Sequence, residues 1–449
     1  MWYTVLMYKV LRKVLLLAGM TMLLLLLGGC SLKFGDGLLS LPKVPAEYVQ
    51  LQQQLDTIRQ GGAVYAVAES GTNRQAVQLV DLDGDGTEEA LAFFRTETNA
   101  YQVYVFRQVD GQYIRIGMAE GYGSTLRAIY YPALENGKAA LAMCWGFDEG
   151  GSYGMTVYGF AEAGMSVLMD IRYSDVVLRD INGDGSEEMA FAIRDTVTGL
   201  YSARIYQYQK DQYRVLCDVP MCLEVRSVAN MQFGTLEKGQ VGLYVDSTAT
   251  TGGYVTDLIC YDGQTAYNRT IDQASGSGTK TWRLSAVFCS DIDGNGRVDV
   301  PAAHVFSYEP NEVEARARVD WYNFDRDGLS TQVGSTVHAV AENWYFRWPD
   351  RWGEQVRIGK GSGTNLSKTI FSIPGSDGSS RDLLVLWVFS GSGREEEAAL
   401  HRQLEALTSN ASGIYRFSLE RTETPLDVTS QEVRVLFHTI ETSWHAEEY

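Results

Sequence analysis

Apolar residues along most of this chain fall in short runs bounded by Gly, Asp and Asn, as in Ala90-Leu-Ala-Phe-Phe94 and Met189-Ala-Phe-Ala-Ile193. Runs of that length read as strands, because a helix needs a longer apolar stripe at 3.6-residue spacing. Three of them follow the same acidic turn. It reads Asp81-Leu-Asp83-Gly-Asp85-Gly86-Thr-Glu-Glu89, then Asp180-Ile-Asn182-Gly-Asp184-Gly185-Ser-Glu-Glu188, then Asp291-Ile-Asp293-Gly-Asn295-Gly296-Arg-Val-Asp299. The starts lie 99 and 111 residues apart, which leaves room for one skipped copy in each gap. Decayed copies occupy those gaps, at Leu134-Glu-Asn-Gly-Lys-Ala-Ala-Leu-Ala-Met143 and Leu236-Glu-Lys-Gly-Gln-Val-Gly-Leu-Tyr244. An aromatic strand trails each copy: Val103–Phe106, Val157–Phe160, Ile205–Tyr208, Leu258–Tyr261 and Trp321–Phe324, each running into Asp or Gly hairpin punctuation. A period of about fifty residues made of strands and hairpins predicts a mainly β fold, a β-propeller of about five four-stranded blades over residues 65–335. A sixth copy could lie within 335–390.

The acidic turns also carry chemistry. Oxygens at the first, third and fifth positions curl around one point when glycine permits the bend; the seventh adds a carbonyl and the ninth a carboxylate. Six or seven oxygens suit Ca²⁺ better than Mg²⁺. An EF-hand needs Glu at the twelfth position, where Ala92, Phe191 and Ala302 stand, and each loop runs into a strand-like segment. EF-hand and dockerin architectures are demoted by these two departures.

The pattern D-x-[DN]-x-[DN]-G-x-x-[DE] leading into a strand resembles the FG-GAP/VCBS repeats of integrin α-type propellers. The resemblance implies three ligand sets: Asp81, Asp83, Asp85 and Glu89; Asp180, Asn182, Asp184 and Glu188; Asp291, Asp293, Asn295 and Asp299. It further implies up to three structural calcium ions, each stapling a blade turn without doing chemistry. Family loops more often end in Asp than Glu, which sets the first two sites apart. A solvated acidic turn with no ion is the alternative.

The first thirty residues read as an address. Lys9, Arg12 and Lys13 precede an apolar stretch from Val14 to Leu27, too short to cross a hydrocarbon core of about 30 Å comfortably. It has the form of a secretory signal. Leu27-Gly28-Gly29-Cys30 resembles the bacterial lipobox. That resemblance implies removal of residues 1–29, lipidation of Cys30 (diacylglycerol, palmitate) and attachment to the cell membrane facing outward. An uncleaved N-terminal anchor is the alternative. Residues 30–64 then hold the lipidated cysteine, a tether, and a short helix near Pro45–Arg59, where Leu51, Leu55 and Ile58 recur at helical spacing. Cys144, Cys217, Cys222, Cys260 and Cys289 remain, an odd number that cannot all pair within one chain. Buried thiols are the expectation, with Cys217 and Cys222 near enough to bridge a turn.

Residues 336–449 break the period and predict a small α+β domain. Its strands are Trp344–Pro349, Val356–Ile358, Thr369–Ile373, Leu383–Phe389, Ile414–Leu419 and Val433–Phe437, with an amphipathic helix over Arg394–Ser409. Trp348-Pro-Asp-Arg-Trp352 resembles a motif of small C-terminal domains in Firmicute lipoproteins, and its aromatics are expected in core and edge packing, with a sugar or peptide platform as the alternative.

Composition trims the function classes. With 45% hydrophobic and 21% charged residues the chain folds. Its net charge of −18, or −21 without Lys9, Arg12 and Lys13, argues against nucleic acid. Three bound Ca²⁺ would bring −21 to −15. His304, His338, His401, His438 and His445 are not at metal-ligand spacing, and no G-x-S-x-G, P-loop or H-E-x-x-H occurs. The expectation is a cell-surface lipoprotein whose propeller binds or scaffolds an extracellular protein or glycan. The alternative is an extracellular polysaccharide-acting enzyme, which would show a buried acidic pair away from the loops. A rim of exposed Tyr and Trp would favour binding.

Overall fold

A computed structural model describes residues 46–147, 152–161, 164–236, 239–325 and 327–440. The expected signal segment, Cys30 and the tether to residue 45 lie outside the described residues. The chain opens with helix α1 (Ala46–Gln60) and continues as antiparallel sheets laid down in sequence order. Sheet one joins β1 (Val64–Tyr65) and β2 (Val77–Val80) to β3 (Glu89–Arg95), then β4 (Tyr101–Val109) and β5 (Gln112–Glu120). Sheet two is β6 (Thr125–Tyr130), β7 (Leu141–Gly146), β8 (Tyr153–Ala161) and β9 (Gly164–Tyr173). Sheet three is β10 (Asp175–Arg179), β11 (Glu188–Arg194), β12 (Tyr201–Gln209) and β13 (Gln212–Pro220). Sheet four is β14 (Val225–Thr235), β15 (Val241–Ala249), β16 (Tyr254–Tyr261) and β17 (Ala266–Asn268).

These are propeller-type blades, and the apolar runs show why they stack. Strand residues alternate between faces. In β3, Leu91 and Phe93 face sheet two, whereas Ala90, Ala92 and Phe94 face α1. In β7, Leu141, Met143 and Trp145 pack on sheet one, and Ala142 and Cys144 pack on sheet three. In β11, Met189 and Phe191 turn back to sheet two, while Ala190 and Ala192 turn on to sheet four. A strand covered on both faces cannot alternate apolar with polar, so it reads as an unbroken apolar run.

The fifth sheet follows the third acidic loop and holds β18 (Val300–Ala303), β19 (Arg318–Phe324), β20 (Ser330–Ala339) and β21 (Trp344–Arg347). Helix α2 (Glu312–Ala317) lies between β18 and β19. A sixth sheet takes β22 (Arg357–Gly363), β23 (Leu366–Pro374) and β24 (Ser380–Phe389). It is completed by β25 (Glu405–Ser409) and β26 (Ile414–Leu419), with helices α3 (Arg394–Leu400) and α4 (Ser430–Leu436) alongside. The last strand, β27 (Phe437–Thr439), returns to pair with β21 at the edge of the fifth sheet. Sheets five and six share one core around Trp344, Phe346, Trp352 and Phe371.

Three sequence expectations change. The boundary at 335/336 falls inside β20, because β20 and β21 continue the fifth sheet and carry its core residues Val337 and Phe346. The helix expected over Arg394–Ser409 stops at Leu400. Leu404 turns down onto Phe389 and Ala398, and residues 405–409 pair with β26 instead. Val433–Phe437, expected as a strand, is mostly α4: Thr429 caps it, accepting from the Glu432 amide while Glu432 reaches back to the cap amide. Cys144, Cys217, Cys222, Cys260 and Cys289 are all free thiols, so Cys217 and Cys222 do not bridge.

Both ends of the stack are closed by helices. Leu51 and Leu55 of α1 cover the outer face of sheet one, and Ala398 of α3 covers Phe389 on sheet six. No core cluster joins sheet one to sheet six among the described residues.

Candidate metal centres

Each acidic loop joins the first strand position of a blade to the second, and all three fold by the same hydrogen bonds. The first-position aspartate accepts from the fourth- and sixth-position amides: Asp81 from Gly84 (2.8 Å) and Gly86 (2.9 Å), Asp180 from Gly183 (2.6 Å) and Gly185 (3.0 Å), Asp291 from Gly294 (2.8 Å) and Gly296 (2.7 Å). The fifth-position side chains, Asp85, Asp184 and Asn295, accept from the amides of Thr87, Ser186 and Arg297. The ninth-position carboxylate reaches back across the loop to the second-position amide, Glu89 to Leu82 (2.9 Å), Glu188 to Ile181 (3.0 Å) and Asp299 to Ile292 (3.0 Å). Glycines at the fourth and sixth positions have φ between 75° and 86°, which other L-residues rarely adopt.

The decayed copies make the same connection without acids. Leu134 closes its turn by donating to the Lys138 carbonyl, and Leu236 by donating to that of Gln240, both at 2.7 Å; both side chains are buried. The acidic loops hook onto these neighbours. Ala139 donates to the Leu82 carbonyl (3.2 Å), Glu187 and Ala133 exchange backbone and side-chain bonds, and Val298 donates to the Thr235 carbonyl (3.4 Å).

Of the twelve residues the repeat resemblance names, six converge. One carboxylate oxygen each from Asp81, Asp83 and Glu89 lies within 4.8 Å of the others, and the same holds for Asp291, Asp293 and Asp299. Asp180, Asn182, Asp184 and Glu188 are arranged differently: the Asn182 amide donates to both Asp184 and Glu188 at 3.0 Å.

The donor chemistry fits a hard cation. Burial pushes the Asp299 carboxyl up to about 6, with repulsion from Asp293 and Asp291 adding to it against the relief of the Ile292 amide. Burial likewise lifts Glu188 to about 7, reinforced by Asp184 and Asp180. Glu89 is raised by burial too, with the Leu82 amide and Arg107 holding it down. Crowded, desolvated carboxylates are what a bound divalent cation would relieve, and Asp291, Asp293 and Asp299 could hold one.

Sequence reasoning missed the side chains facing these loops from the third strand of each blade. Arg107, Gln207 and Asn323 stand opposite the ninth position, one step beyond the pairs Ala90–Phe106, Met189–Tyr206 and Val300–Tyr322. Arg107 bonds Glu89, Gln207 reaches Asp184 at 3.4 Å, and Asn323 donates to Asp299. Counting hairpin register out from the Thr96–Ala100 turn, where Arg95 pairs with Tyr101, would have found Arg107.

The sequence matches no known family profile and no curated protein. Solved structures align over much of its length. Saccharomyces cerevisiae Sqt1 aligns over 71% of this chain and 95% of its own at 12% identity and TM-score 0.30. The β-propeller domain of the Pyrococcus furiosus Trilobed protease covers 71% and 93% at 8% identity and TM-score 0.25. A Bacillus licheniformis rhamnogalacturonan lyase covers 86% and 94% at 11% identity and TM-score 0.29. Similarity this low says nothing of what the present chain does.

Proposed function

We propose that this chain is a binding or scaffold module, held outside a bacterial cell by a lipid on Cys30, whose blade turns are stapled by calcium. The observation that carries the reading is the convergence of Asp291, Asp293 and Asp299 in a turn that also bonds the neighbouring blade. An ion there fixes one blade to the next and performs no reaction, leaving the other edge of the stack free for a partner. On that edge Tyr122 is 45% exposed, its ring stacked on Phe147 at 5.7 Å and its hydroxyl donating to Asp170 at 2.7 Å. Arg172 lies over the Phe147 ring at 3.5 Å. Aromatic faces beside a carboxylate and a guanidinium suit an extracellular glycan or protein. Calorimetric melts with calcium and with chelator test the staple, and a glycan array with pull-down from envelope extracts tests the partner class. Superimposable melts would remove the calcium role.

One cluster favours the enzyme alternative. His304 sits between Asp320 (2.9 Å) and Glu354 (2.6 Å), with Arg318 on the same Glu354 oxygen at 3.2 Å. Polysaccharide cleavage on the array, lost in Glu354→Gln, would establish that reading. Of the other acids buried away from the loops, Asp246 and Asp257 are enclosed at sheet four by Arg283, Thr256, Asn230 and Asn268, and Glu314 accepts from the Asn311 and Ile358 amides.

A further inference from the structure

The first acidic loop already contains a cation. Arg107 donates from Nε to Oε1 of Glu89 at 2.9 Å, and its Nη2 pairs with Oδ2 of Asp83 at 2.6 Å as an ion pair rather than an aligned hydrogen bond. Glu89 is 1% exposed, and Arg107 and Asp83 are 18% and 19% exposed. The two carboxylates it spans are two of the three that converge in this loop. The second and third loops put neutral Gln207 and Asn323 at the same register position.

We propose that Arg107 is the resident cation of the first loop, which therefore closes on a guanidinium and takes no calcium, while the third loop keeps the ion. The inference rests on the calcium reading for the third loop and sets the first loop apart from it. The guanidinium satisfies two carboxylates, Glu89 by a directed hydrogen bond and Asp83 by charge, which a spherical ion would do without direction. To enter, a divalent ion would have to displace that fork or lie against a fixed positive charge within bonding distance of its own ligands. Neither cost arises beside Gln207 or Asn323.

The test is hydrogen exchange read by mass spectrometry on the full chain in detergent, with calcium and with chelator, joined to ion counting by native mass spectrometry. Amides of 82–89 should exchange equally in both conditions, whereas those of 292–299 should slow at least tenfold with calcium. Arg107→Gln should bind one more ion than the parent and make 82–89 calcium-responsive. Calcium protection of 82–89 in the parent overturns the proposal, and so does an Arg107→Gln chain that gains no ion. If the variant does not fold, exchange in the parent decides alone. A parent that responds at no loop, with an Arg107→Gln variant that gains an ion, sinks the calcium reading but supports the assignment of Arg107. No response in either sinks both.

Discussion

The side-chain amide of Asn182 donates to Oε1 of Glu188 at 3.0 Å, at the position where the other two acidic loops carry an aspartate. The amide supplies in part what a cation would, since it offers hydrogen to two carboxylates at once. Replacing Asn182 by Asp removes both bonds and adds a charge. The expected result is a lower melting temperature in chelator, by about 1 kcal/mol of stability, and calcium affinity at this loop on the order of tenfold higher. Titration calorimetry beside thermal melts checks both signs.

The third loop should carry most of the calcium response. An ion at a hundred times its dissociation constant adds about 2.7 kcal/mol per site. Asp293→Asn should therefore reduce the calcium-induced rise in melting temperature while changing the chelated protein little. A variant with the full parental rise would remove Asp293 from the site.

Two glycines of the first loop should differ. A Cβ at Gly84 would come within 2.8 Å of the Asn136 carbonyl oxygen and 3.1 Å of Gly137, the neighbouring turn, whereas one at Gly86 meets nothing within 4 Å. Both have φ near 80° and share the backbone cost of about 1 kcal/mol. Gly84→Ala should thus cost more than Gly86→Ala, by about 1–3 kcal/mol of overpacking in denaturant unfolding. Equal losses would mean that the loop and its neighbour are not in contact.

These contacts show where sequence reading succeeds. The fifty-residue period, the acidic turns and their decayed copies at Leu134 and Leu236 were legible because each blade repeats one local solution. Turn glycines and unbroken apolar strands both leave their mark within a few residues. What stayed hidden depends on long-range pairing. Arg107 is eighteen residues from Glu89 and meets it only through hairpin register. Glu405–Ser409 has a helical-looking lead-in, and only the available edge of β26 makes it a strand. The fifth sheet runs past residue 335 for the same reason, since β27 arrives from the far end of the chain to join β21.

Asp257 sets a pH dependence of opposite sign to most carboxylates. Burial raises it to about 7, with the Asn268 amide and Cys222 N–H pulling the other way, and its Oδ2 has no partner among the described residues. The folded state keeps this proton up to about pH 7, whereas the unfolded chain releases it near 3.8. Stability from this group is therefore fully present below pH 4 and is lost as pH rises to 7. Asp257→Asn keeps the accepting oxygen and cannot ionise. It should match the parent at pH 4 and exceed it at pH 8, by on the order of 4 kcal/mol at most. Identical melting curves at pH 8 would show that the acid is neutralised some other way.

The buried ion pair of the same blade should behave differently. Arg283 donates to Oδ1 of Asp246 at 2.8 Å, both are at most 1% exposed, and Asp246 also accepts from Thr256, Asn230 and the Cys289 amide. Arg283→Met strands a desolvated carboxylate and should cost about 3–5 kcal/mol. Arg283→Met with Asp246→Asn should recover much of that loss, and a double variant as unstable as the single one would argue against charge as the cause.

Helix α1 occupies the surface where a further blade would otherwise stack. Its grip is two-fold: Leu51 and Leu55 lie on the apolar face, and Gln50 and Gln54 bond the backbone N–H and carbonyl of Tyr113. Any pull transmitted along the chain from its N-terminal side meets this clasp before it meets a strand. Peeling the helix would bare Phe94, Phe106 and Tyr113 together, turning a sealed end into an adhesive one, so mechanical tension and self-association become two readings of the same latch.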